Sequence, residues 1–325
     1  MTKKKGQSVG QTIGGILVGF DQQIFRTTPP PAELVAKAAP LKAVAASGGG
    51  TVTVGLPTSG PEPDRLALTA PGVSAVIDLT AGGRVASLVV DGHELLKTEG
   101  YGPIAWGSFP MVPFAGRIRD GVLTFAGKTY TLPSTTLPPH AIHGTGLDRR
   151  WEVVGEGEIA TDLGPEWPFA GRAIQRFELA ADRLTCRLEL HADEPMPASI
   201  GWHPWFARRL DGVAEALELD FHAGAMYERD ADGIATARLI PPSTGPWDDC
   251  FTDLRRAPVL RWPGFLEVTI ESDCPDWVVY TIPEDALCVE PQTAPPDALN
   301  TDPTVVLPGR PLIAEMTWRW RSIAG

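Results

Sequence analysis

Apolar and polar positions alternate in short bursts along most of this chain, and the bursts stop at glycine, proline and aspartate. From about residue 65 the run Ala75–Leu79 meets Gly82-Gly83 and is followed by Val85–Val90, Asp91-Gly92 and Glu94–Leu96. Strand, Asp-Gly turn, strand predicts a β-hairpin, because Asp and Gly tolerate the positive φ that tight hairpin turns require. Val122–Phe125, Ala126-Gly127 and Thr129–Leu132 repeat the device. Further strands are predicted at 173–179, 184–190, 216–221, 266–270 and 277–282, and 313–320 closes the pattern. Helical spacing of apolar residues sustained beyond two turns is almost absent there. The prediction is an all-β fold, a large antiparallel β-sandwich.

Composition changes near residue 62. Residues 1–62 hold Pro29-Pro30-Pro31, Gly48-Gly49-Gly50 and Ser59-Gly60-Pro61, with a helix candidate at 31–44 and a lone alternating strand at 51–54. This piece is too short and interrupted to bury a core, so it is expected to be an extension of unassigned role, docked on the main body or partly mobile. Residues 63–325 are expected to form one domain, and a single all-β domain of about 260 residues is ordinary. The Gly48–Gly50 run precedes a strand and no helix, so it reads as a linker and not as a phosphate cradle.

Charge narrows the partners. A formal net charge of -12 argues against nucleic acid and against an anionic membrane surface, and leaves a neutral small molecule open. Lys3-Lys4-Lys5 followed by Ile13–Phe20 mimics a signal peptide only faintly, since the apolar run is glycine-broken and ends at Asp21-Gln22-Gln23. No window is long enough to span a bilayer, and a cytoplasmic location is expected. Cys186, Cys250, Cys274 and Cys288 are scattered, with no Cys-x-x-Cys pair and no histidine at ligand spacing. Reduced thiols and no metal site are the expectation.

Three segments carry candidate chemistry. Cys288-Val289-Glu290-Pro291-Gln292-Thr293 places a carboxylate at the end of an apolar strand, ahead of the proline-rich loop that runs to Asp297 and Asn300. Upstream stand Gly201-Trp202-His203-Pro204-Trp205-Phe206 and Phe114-Ala115-Gly116-Arg117-Ile118, the latter leading on to Ile142-His143-Gly144. In order and spacing these segments resemble the aldose 1-epimerase (galactose mutarotase) family over roughly residues 65–320. The resemblance implies a twisted sandwich with a sugar site in a cleft on one sheet. It implies Glu290 as the base and His203 as the acid that serves the ring oxygen. It further implies His143, ahead of His140, and Arg117 as substrate contacts, together with the first residue of Asp248-Asp249-Cys250-Phe251, with Asp249 the rival. Two positions depart from the family's pattern. Trp202 replaces a polar residue before the histidine, and Gly116 replaces an asparagine before the arginine. From the residues themselves, Trp247 is a candidate for stacking on a pyranose face, and Gln292 for reaching the site from the strand end.

Interconverting anomers needs a base for the anomeric hydroxyl proton, an acid for the ring oxygen, and donors that hold hydroxyls; no cofactor is required. The expected function is therefore an aldose 1-epimerase acting on a free sugar. A hexose-6-phosphate 1-epimerase, which would use cations such as Arg117 and Arg119, and a non-catalytic carbohydrate-binding protein are the alternatives. An ionised Glu290 and a protonated His203 predict a bell-shaped pH profile, with its acid limb from Glu290 and its alkaline limb from His203. Burial of Glu290 and the charge of Arg117 act on that carboxylate in opposite directions, and the sequence leaves the balance open.

Overall fold

A computed structural model describes residues 64–323, all within one compact unit, Gly50–Gly325. The extension, with the helix expected at 31–44 and the strand at 51–54, lies outside the described residues. An eleven-stranded sheet has the order Arg65–Ala70, Val73–Asp78, Arg84–Val90, Ser108–Met111, Gly201–Ala207, Ala286–Gln292, Asp276–Tyr280, Asp248–Leu254, Ala223–Arg229 and Ala235–Ile240, with His93–Glu94 added beside Arg84–Val90. An eight-stranded sheet has the order Glu152–Gly155, Glu158–Asp162, Gly171–Ala180, Arg183–Ala192, Leu312–Ser322, Leu266–Ser272, Val259–Trp262 and Glu218–Asp220. The paired strands of both sheets run antiparallel, as the turn-punctuated sequence predicts. Among the described residues the one α-helix is the four-residue Ala298–Thr301, and no helix is long and apolar enough to cross a membrane.

The eight-stranded sheet shows how pattern becomes packing. Gly171–Ala180 and Arg183–Ala192 pair over their full lengths, Gly171 opposite Ala192 and Ala180 opposite Arg183. Ala173, Phe177, Leu184, Leu188 and Leu190 point inward and are buried, while Arg172, Arg176 and Glu178 face out. Each inward leucine contributes about 1.5–3 kcal/mol by leaving water. They meet the inner face of the larger sheet in one core with Ile77, Val85, Leu88 and Val289. Phe206 of the larger sheet packs edge-on against Trp318 of the smaller, ring centres 5.1 Å apart. The Trp202 indole N–H donates to Gln175 Oε1 at 3.3 Å, and the Gln175 amide donates to Gly83 O at 2.9 Å. These contacts lock the back of Gly201–Ala207 to the smaller sheet.

Two central strands of the larger sheet behave differently. Ala286–Gln292 is buried at every position, and Gly201–Ala207 at every position but its last. Leu287, Val289, Trp202 and Phe206 turn to the core, so Cys288, Glu290, Gln292, His203 and Trp205 occupy the opposite face, buried without facing the core. The strand runs on through Pro291 to Gln292, so Glu290 lies inside it and not at its end as the sequence suggested.

Candidate active site

Gly201–Ala207 and Ala286–Gln292 pair with Gly201 opposite Gln292 and Trp205 opposite Cys288. That register sets His203 opposite Glu290, the neighbour relation in which side chains of an antiparallel pair meet. The ladder is interrupted between those pairings, where Pro204 and Pro291 have no N–H to give. His203 Nε2 and Glu290 Oε1 stand 3.3 Å apart, with Glu290 2% and His203 6% exposed. The next strands extend this row, Phe109 opposite His203 on one side and Val278 opposite Glu290 on the other. The His203 ring lies between Phe109, centroid 4.8 Å away, and Trp205, 5.3 Å away and within 10° of parallel.

His143 and Arg117 are delivered by a short ladder in which Arg117 pairs with Ile142. Glycine makes both placements possible. A Cβ on Gly144, at φ +80°, would fall 2.0 Å from Val112 O, and one on Gly116, at φ +69°, would press on Pro296 at 2.8–3.0 Å. The proline-rich loop holds the arginine segment directly: Asp297 N–H donates to Arg117 O at 2.8 Å, and Arg119 N–H to Asp297 Oδ1 at 3.1 Å. The His143 ring meets His203 edge-on at 5.0 Å. Arg117 Nη2 reaches Asp248 Oδ2 at 3.3 Å, and its Nη1 donates to Gly233 O at 2.9 Å.

Burial decides the electrostatics. It pushes the Glu290 carboxyl well above the usual range; Asp248 adds in the same direction, and Arg117 opposes without prevailing. Burial also brings the His203 imidazole down to about 3, with the charge of Arg84 contributing. His143 is held well below its ordinary value by burial, then by His203 and Arg117. With the carboxyl raised and the imidazole lowered, a proton shared by the Glu290–His203 pair is favoured on the carboxyl. The balance left open by the sequence falls to burial, and the expected assignment of the proton is reversed.

The structure thus gathers Glu290, His203, His143, Arg117 and Asp248. Asp248 also receives Arg229 Nη1 at 3.2 Å, while Asp249 is engaged by Arg229 Nε at 3.0 Å. Gln292 lies on the face of Glu290, fully buried; its amide donates to Cys250 Sγ at 3.6 Å and its Oε1 meets no protein partner. Trp247 stands apart. Its ring packs on Phe221 and Phe251 and its indole N–H donates to Ser243 O at 3.1 Å. His140 is turned elsewhere, its Nδ1 accepting from Asp120 N–H at 3.0 Å.

Sequence reasoning missed three contributors. Phe109, the platform under His203, sits in an apolar run (Phe109-Pro110-Met111) whose alternation gave a faint signal. Arg229, which grips both aspartates, comes from a strand with no local motif. Arg84 is 1% exposed, donates to the carbonyls of Ala81, Pro103, Trp106 and Leu147, and lies over the rings of Trp106 and Phe109 at 4.2 and 5.2 Å.

An antiparallel sandwich carrying a buried imidazole–carboxylate pair on one sheet, with an arginine and an aspartate beside it, has the groups that proton transfer to a polar small molecule requires. The sequence matches the aldose 1-epimerase family over residues 64–318. The chain belongs to that family, whose kind of function is sugar epimerisation or mutarotation. A putative aldose 1-epimerase of Escherichia coli K12 superposes with a TM-score of 0.68 at 19% identity, over 80% of this chain and 99% of that one. A galactose 1-epimerase of Lactobacillus acidophilus NCFM gives 0.65 at 16% identity, over 79% and 94%. At such identities the likeness is one of fold. The uncharacterized protein YphB of Escherichia coli K12 is 34% identical over 104 residues, 30% of this chain and 36% of YphB, so the match spans about a third of that relative's length.

Proposed function

We propose that this protein is an aldose 1-epimerase, interconverting the α and β anomers of a free, unphosphorylated aldose. The observation that carries the reading is the buried Glu290–His203 pair, its oxygen and nitrogen 3.3 Å apart beneath Arg117 and Asp248. In the reactive form the pair's one proton is on His203. Glu290 takes the proton of the anomeric hydroxyl while His203 gives its own to the ring oxygen. The C1–O5 bond breaks as the C1 carbonyl forms. Rotation about C1–C2 presents the other carbonyl face, and closure reverses both transfers, returning the proton to the pair. Because donor and acceptor are neighbours, either distribution of the proton is one short transfer from the other.

Arg117, Asp248 and His143 are assigned to holding hydroxyls. Buried polar atoms without a protein partner on His143 (Nδ1), Trp205 (Nε1) and Gln292 (Oε1) support a hydroxyl-rich ligand. The cations nearest in sequence argue for a neutral one. Arg117 is paired with Asp248, and Arg119 with Asp230 and, at 2.8 Å, Asp232, so neither offers an uncompensated charge to a phosphate. Anomer exchange followed by NMR over glucose, galactose, xylose, arabinose and hexose 6-phosphates tests the reading. Acceleration of a free sugar is expected; acceleration confined to the phosphorylated sugars, or none at all, would refute it.

A further inference from the structure

The chemistry above uses none of the four buried thiols, and of these Cys288 lies against the proton-transfer pair. Cys288 stands two residues before Glu290 on the same face of the same strand, opposite Trp205 and fully buried. The Cys288 Sγ, His203 Nε2 and Glu290 Oε1 atoms all lie within 4.8 Å of one another. We propose that Cys288, His203 and Glu290 form a binding site for a thiophilic divalent cation of the zinc class, and that occupation of it shuts off the proton-transfer pair.

Geometry, donor type and charge each support this assignment. A tetrahedral zinc ion with nitrogen and oxygen ligands at about 2.0–2.1 Å sets those two atoms about 3.3 Å apart. That is the separation of His203 Nε2 and Glu290 Oε1. The sulfur closes the third corner with a side-chain shift on the order of 1 Å, given a zinc–sulfur bond of about 2.3 Å. One thiolate, one imidazole and one carboxylate suit zinc or cadmium and not magnesium or calcium, which take oxygen donors. Binding displaces the thiol proton of Cys288 and the proton held by the Glu290–His203 pair, both to solvent. The product, a doubly charged cation with thiolate, carboxylate and neutral imidazole, carries no net charge, which a buried site tolerates far better than an unpaired ion. The fourth corner is left for water or a sugar oxygen.

The inference goes beyond the proposed epimerase activity, and its binding half is tested without sugar. The full-length protein is dialysed to equilibrium against Zn²⁺, and in parallel against Cd²⁺ and Mg²⁺. One zinc or cadmium ion per chain is expected, with thiolate-to-cadmium charge-transfer absorption in the ultraviolet and no retention of magnesium. Cys288→Ser should abolish that absorption and weaken zinc binding by about 100-fold or more, at least as much as loss of an outer-shell partner does. His203→Asn provides an independent ligand deletion and should weaken zinc comparably. In mutarotation assays zinc should inhibit in competition with sugar and a chelator should restore the rate, whereas Cys288→Ser should turn over sugar and resist zinc. Failure to retain zinc, retention unchanged by Cys288→Ser and His203→Asn, or cadmium binding without the thiolate absorption would overturn the proposal. A protein that binds zinc this way but does not mutarotate sugar would instead refute the proposed function alone.

Discussion

The hairpin Gly171–Ala180/Arg183–Ala192 and the central pair Gly201–Ala207/Ala286–Gln292 obey the same two-residue alternation and put it to opposite uses. In the hairpin one face is apolar and buried and the other is charged and wet, with Arg176 paired to Glu158 at the surface. In the central pair both faces are buried, and the second face carries a carboxylate, an imidazole, a thiol and an amide. Burying such groups without full hydrogen-bond satisfaction opposes folding, and the same desolvation moves Glu290 and His203 far from their ordinary titration. The first region is arranged for stability. The second buries groups whose desolvation costs stability, as the proposed proton transfer requires.

The widest separation between the two regions should appear in turnover. Glu290→Gln keeps volume and removes the base, so kcat should fall by roughly 100-fold or more, as should kcat for His203→Asn, with binding largely kept. NMR anomer exchange reads this directly, and a parental rate in Glu290→Gln would end the assignment of the base. Next comes stability. Leu188→Ala in the hairpin should cost about 2–5 kcal/mol in denaturant unfolding and leave kcat unchanged, because it opens a cavity in the core between the sheets, whereas the pair lies on the other face of the larger sheet. A kcat loss there would mean that the two faces are coupled.

The shape of the pH profile is a finer test. The one-proton state of the pair exists above the lowered value of His203, about 3, and below the raised value of Glu290. The acid limb therefore belongs to the imidazole and the alkaline limb to the carboxyl, the reverse of the assignment expected from sequence. In His203→Asn only the base remains, so the residual activity should rise with pH through the raised Glu290 value and show no alkaline limb; an unchanged two-limbed profile would remove His203 from the pair.

Asp248→Ala should raise KM by about tenfold, the scale of one charged hydrogen bond, with a smaller effect on kcat. The smallest expected effect is on melting temperature. A carboxyl whose folded value is raised is favourable to folding only while protonated, so stability is present below its unfolded value and declines as pH rises toward the folded one. Glu290→Gln should then raise the melting temperature above about pH 4.5 and leave it unchanged below, by about 2–4 °C for each kcal/mol relieved. No gain at neutral pH would show that Glu290 carries no burial penalty.

Much of this was legible in the chain. Alternation and turn residues are local, and local chemistry was enough to predict an antiparallel sandwich and the hairpins around Asp91-Gly92 and Ala126-Gly127. The segments around Glu290, His203, Arg117 and His143 also stood out, because their order and spacing resemble one family's; only the structure shows that Gly144 against Val112 and Gly116 against Pro296 leave no room for a side chain. Sequence pattern failed where the partner was remote. Nothing near Arg229 announces its hold on Asp248 and Asp249, and nothing near Trp247 tells that its ring turns to Phe221 and Phe251. Three features were decided by tertiary structure alone: that His203 faces Glu290, that Cys288 joins them, and that burial raises the carboxyl and lowers the imidazole. Register between strands more than 80 residues apart depends on the whole sheet, and desolvation depends on every atom that excludes water from the pair.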